Sequence, residues 1–104
     1  MAEEMELWEQ KERVRRLRVG LARLQEALKR AENKYTVAQR LLDEINKACE
    51  EGLLDHSTST RWSRAVAVWL FSAKYKIEEL RTQIREKEIE LQKVSNVEKE
   101  EAEG

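Results

Sequence analysis

A chain of 104 residues, 39% of them charged, with no proline and a formal net charge of −1, is one domain at most. Its 40% hydrophobic content at near-zero net charge excludes ordinary disorder, which combines low hydrophobicity with high net charge. One cysteine excludes an internal disulfide framework and a Cys-rich zinc site.

The start, Met1-Ala2-Glu3-Glu4-Met5-Glu6, has neither the basic stretch nor the apolar core of a signal peptide. From Leu7 an apolar series recurs every seven residues: Leu7, Val14, Leu21, Leu28, Tyr35, Leu42 and Cys49. A second runs in step through Gln10, Leu17, Leu24, Ala31, Ala38 and Ile45. Taken as heptad positions a and d, these form a sustained seam with one polar member, the signature of a coiled coil. Charged residues fill most of the remaining positions, as a solvated face requires. The seam predicts a first helix over residues 3–51, roughly 70 Å long at 1.5 Å per residue. Gly52 is placed to end it as a left-handed C′ residue, with Leu53 as the apolar contact of a Schellman-type end.

Residues 52–59 read as a turn, and the hydroxyl run Ser57-Thr58-Ser59 supplies candidate N-caps. A second helix is predicted over 60–97, with a seam of Val66, Leu70, Ala73, Ile77, Leu80, Ile84, Lys87, Leu91 and Val94. Residues 98–104 read as a frayed acidic tail.

Two heptad helices joined by a short turn pack antiparallel. The fold class expected is therefore all-α: an antiparallel two-helix coiled-coil hairpin. Position a of one helix faces d of the other, so facing numbers sum to a constant. A sum of 108 centres the turn on Leu54 and pairs Val14 with Val94, Leu24 with Ile84, Ala38 with Leu70 and Leu42 with Val66. Large residues then meet small ones at the alanine layers. The same register sets Arg18 beside Glu88 and Glu32 beside Lys74.

This hairpin leaves apolar surface over. Val68, Phe71 and Tyr75, spaced i, i+3, i+7, face away from the first helix. Trp62 and Trp69 fall on a flank beside Ala48 and Leu41. A helix apolar nearly all round is normally buried, and contiguous exposed apolar patches mark interaction sites. Leu41, Trp62, Val68, Trp69, Phe71 and Tyr75 are accordingly the expected interface. Two hairpins meeting there would form a four-helix bundle near the turn. A third helix folded back from the N-terminal part would also cover the stripe, but the unbroken heptads argue against it.

No phosphate-cradling glycine loop, Cys-x-x-Cys or His-Glu-x-x-His motif occurs. The lone His56 on a turn reads as solvent-facing or a cap, and Cys49 at an a position as a buried small hydrophobe. No catalytic residue, cofactor or metal is expected.

Charge is divided along the chain. Residues 11–34 carry Lys11, Arg13, Arg15, Arg16, Arg18, Arg23, Lys29, Arg30 and Lys34 against Glu12, Glu26 and Glu32, while 78–104 are net acidic. The hairpin lays one beside the other, so mutual compensation is the simplest account. The alternative is that Arg15, Arg16, Arg23 and Arg30, on outer positions, contact phosphates or an acidic partner. A nucleic-acid binder is expected to be basic overall, with aromatics near its patch; here the tryptophan pair lies elsewhere.

The function expected is that of a non-catalytic protein–protein interaction and oligomerisation module, cytoplasmic and not embedded in a membrane, with a second copy as its partner. One alternative is an adaptor or regulator docking a partner's helix or a small GTPase through the aromatic patch. Another is anionic-surface or nucleic-acid binding through the arginines of the first helix.

Overall fold

The computed structural model describes residues 2–103, with side chains described from Glu6 to Asn96. It is an all-α helical hairpin. Helix α1 spans Ala2–Glu50 and helix α2 spans His56–Glu103. No helix among the described residues is long and apolar enough to cross a membrane.

The end of α1 follows from one glycine. Gly52 has φ of 75°, a conformation that costs an L-residue with a Cβ. That geometry lets the Gly52 N–H donate to the Cys49 carbonyl at 3.1 Å and the Leu53 N–H donate to the Ala48 carbonyl at 2.9 Å. These two bonds form a Schellman motif and satisfy carbonyls that a bare helix end leaves without partners. The apolar contact differs from expectation. Leu53 is 75% exposed, and Leu54 packs against the core instead.

α2 starts four residues earlier than the hydroxyl run suggested. Asp55, not Ser57, Thr58 or Ser59, is the N-cap: its Oδ2 accepts from the Thr58 N–H at 3.1 Å, and its carbonyl accepts from the Ser59 N–H at 3.0 Å. With the helix begun at His56, Ser59 falls on the seam and is buried. Residues 98–103, expected as a frayed tail, lie within α2, and their side chains fall outside the described residues.

The chain divides into two compact units, Leu28–Glu79 and Met1–Ala27 with Leu80–Gly104. In the unit carrying the turn, the buried apolar residues are Ala31, Ala38, Ile45, Val66, Ala73 and Ile77. All are a or d positions. Ala38, Ile45 and Val66 form one cluster, with Leu42, Leu54 and Leu70 packed against it. Ala38 and Leu70, and Leu42 and Val66, which a sum of 108 pairs, all belong to this cluster.

In the other unit the buried apolar residues are Val14, Leu17, Leu80 and Ile84, again on a and d. Leu7, though on the a series, is about half-exposed. Gln10, the polar d residue, has its Oε1 covered with no hydrogen-bond partner among the described residues.

The ion pairs expected on the e columns, Arg18–Glu88 and Glu32–Lys74, do not form among the described residues. In the unit holding Leu80, Arg13 of α1 and Glu90 of α2 lie 3.7 Å apart. Exposed pairs of this kind stabilise little, so their geometry is weakly dictated.

Candidate interaction surface

Each turn of α2 spends its a and d residues on α1. Between residues 59 and 73 these are Ser59, Ser63, Val66, Leu70 and Ala73, none of them exposed. What remains on the b, c, f and g columns decides what the helix offers to its surroundings. In most of the chain those columns are charged. From Trp62 to Tyr75 they carry mainly apolar and aromatic side chains, with Arg64 and Ser72 the polar members.

Val68 and Tyr75 are 71% exposed and Phe71 is 69% exposed. Trp62 and Trp69, on the g column, are 49% and 43% exposed. Between the two groups runs a column of small residues, Ala65 and Ser72. Neighbours three and four apart touch on a helix surface, so Trp62, Ala65, Val68, Trp69, Phe71, Ser72 and Tyr75 make one continuous face. Leu41, on the g column of α1, is 37% exposed. Val37, one turn earlier on α1, is also exposed, and the heptad seam does not single it out. Its signal is an apolar residue at an outer heptad position beside a g residue already suspect.

The arginines of α1 behave differently. Arg15 reaches Glu12 at 2.8 Å through Nη2 and at 3.2 Å through Nε, and Arg16 lies 3.5 Å from the same carboxylate. The Arg15 hydrogen bond, more than the charge of either arginine, holds the Glu12 carboxyl below its ordinary pKa, and Arg15 is raised in return. Arg23 lines a separate open groove with Gly20, Leu24, Gln83, Glu86, Lys87 and Glu90. Arg30 is engaged in the structure as well. Arg15 and Arg16 thus share one carboxylate, while Arg23 lines a groove that includes neither of them.

Cys49 and His56 line an open groove near the turn with Leu42, Asn46, Ser59 and Ser63. Cys49 is a half-buried free thiol. Among the described residues no group of three His, Cys, Asp or Glu side chains is placed to hold a metal ion.

No protein-family model, curated protein or solved structure matches this chain. Its function is therefore read from its own surface.

Three further exposed apolar residues lie off the heptad seam. Trp8, on a b position, is 67% exposed, and Val19 and Ile89, on the f columns of α1 and α2, are about half-exposed. Among the described residues none of the three has a cluster of exposed aromatic neighbours like that around Phe71.

Proposed function

We propose that this protein is a non-catalytic assembly module whose aromatic face near the turn binds a second copy, giving a four-helix bundle. The observation that carries the reading is the continuous exposed face from Trp62 to Tyr75. It holds two tryptophans, a phenylalanine and a tyrosine on one helix. Aromatic residues dominate interface energetics, and a helix apolar on nearly all sides is stable when covered. Homodimers with two-fold symmetry are the commonest oligomers. The grooves beside the seam are open, which suits binding better than chemistry in an enclosed, dry pocket. The single unpaired thiol suits a reducing, cytoplasmic setting.

The test is the solution mass of the wild-type chain at tens of micromolar, beside the Trp69→Ala/Phe71→Ala double variant. The wild type should sediment as a dimer. The double variant should be a monomer of unchanged helicity, because both side chains are exposed in the single chain. A monomeric wild type would overturn the reading and leave the face to a helix of another protein or to a small GTPase.

A further inference from the structure

The outer face of α2 is polarised as well as apolar. Arg61 and Arg64 stand at one end, on the f and b columns, and both are exposed. Glu78 and Glu79 stand at the other end, on b and c. Between them the same columns carry Ala65, Val68, Phe71, Ser72 and Tyr75. At 3.6 residues per turn these columns span about 100° of the helix, wide enough to seat one neighbouring helix.

A stripe that runs basic, apolar, acidic is complementary to itself in one orientation. Reversed about the midpoint between Phe71 and Ser72, it faces numbers that sum to 143. Val68 then meets Tyr75, Phe71 meets Ser72 and Arg64 meets Glu79. Arg61 lies within one turn of the same carboxylate. Large side chains meet small ones at the centre, and opposite charges close both ends. A parallel arrangement would set Arg64 on Arg64 and Glu79 on Glu79, and like charges brought together at an interface are strongly disfavoured.

We propose that a second copy of this chain covers the face, its α2 antiparallel on the first, about a two-fold axis passing between Phe71 and Ser72. The proposal rests on the assembly reading above and adds orientation and register to it. Glu79 is about half-exposed and pairs with Lys76 of its own helix at 3.6 Å, a solvent-exposed pair that yields readily. Glu78 is already engaged within the single chain, so the Arg64–Glu79 contact carries the charge matching.

The decisive experiment is a charge cross read by sedimentation equilibrium. Arg61→Glu/Arg64→Glu makes both ends of the face acidic, and Glu78→Arg/Glu79→Arg makes both basic. Each variant alone should dimerise roughly tenfold more weakly than wild type, or worse, and an equimolar mixture should recover wild-type affinity as a heterodimer. Circular dichroism checks that helicity is kept. Should a double reversal lower it, the single reversals Arg64→Glu and Glu79→Arg repeat the cross. Variants that dimerise alone as tightly as wild type, or a mixture that stays monomeric, overturn the antiparallel register. A wild-type dimer that Trp69→Ala/Phe71→Ala dissolves but charge reversal leaves intact keeps the assembly reading and removes this one. A wild-type monomer removes both.

Discussion

The Asp55 carboxylate accepts the Thr58 backbone N–H at 3.1 Å, and this bond fixes where α2 begins. A start at His56 carries the helix back to Ser59, which lies on the seam and is buried. The heptad period places Val66, Leu70 and Ala73 on the side of α1 and leaves Val68, Phe71 and Tyr75 exposed. The cap extends the helix toward the turn, and the heptad selects the exposed face.

Asp55→Ala removes the cap and should lower the melting temperature by a few degrees. Asp55→Ser should keep most of the stability, because serine caps about as well as aspartate. The Thr58 side chain first, and then its backbone N–H, hold the Asp55 carboxyl below its ordinary 3.8. Glu12, hydrogen-bonded to Arg15, is likewise held below its ordinary 4.5. A carboxyl with a depressed folded pKa binds protons better in the unfolded chain. Its contribution is complete above the ordinary value and is lost as pH falls through the folded one. Urea midpoints measured from about pH 6 down to about pH 3 should therefore fall below about pH 4.5. In Asp55→Asn the decline should be shallower, since that group no longer titrates.

Two glycines should respond to alanine with opposite signs. Gly52 has open space where a Cβ would stand, but its φ of 75° penalises one, so Gly52→Ala should cost about 1–2 kcal/mol. Gly20 lies inside α1, and a methyl carbon there would likewise meet nothing within 4 Å. Gly20→Ala should stabilise by about 0.5–1 kcal/mol through the entropy of the unfolded chain. Equilibrium urea unfolding of the two variants tests both signs.

The hairpin was legible because its period is long and regular. Seven-residue spacing names Ala38, Ile45, Val66 and Ile77 as interior without any coordinates, and all four are buried. The turn was legible through Gly52 alone. Three details were not. Three hydroxyl residues advertised a cap more loudly than Asp55, because sequence shows which groups are able to cap and not which one the chain reaches first. Leu53 and Leu54 are identical in composition and adjacent, and only the direction in which the chain leaves Gly52 selects Leu54 for the core. The ion pairs failed as guides for the reason they are weak: exposed charges gain little from any one geometry.

Gln10 is a polar residue at a d position, with a covered Oε1 that finds no partner among the described residues. An unsatisfied covered acceptor costs about 1–3 kcal/mol. Gln10→Leu removes the acceptor and adds apolar contact on the seam. It should raise stability by about 1 kcal/mol, the lower end of that range because Leu7, one turn away, is already half-exposed. A thermal melt that does not move upward would show that the carbonyl finds water there.

Val66 and Val68 make the sharpest comparison, two residues apart on one helix. Val66 is 7% exposed and packs in the cluster with Ala38 and Ile45, whereas Val68 is 71% exposed. Val66→Ala deletes two buried carbons and leaves a cavity, so it should cost about 2 kcal/mol. Val68→Ala touches no interior contact and should change the stability of the single chain by less than about 0.5 kcal/mol. Dimerisation should reverse the order. Measured as a dissociation constant, Val68→Ala should weaken the dimer, since it strips a side chain from the face that a second copy covers. Val66→Ala should leave the contact surface itself unchanged. Unfolding at a concentration low enough to hold the chain monomeric gives the first ranking, and sedimentation at tens of micromolar gives the second. If Val68→Ala matched Val66→Ala in the first measurement, the face would already be covered within a single chain. A back-folded segment, not a second copy, would then be its occupant.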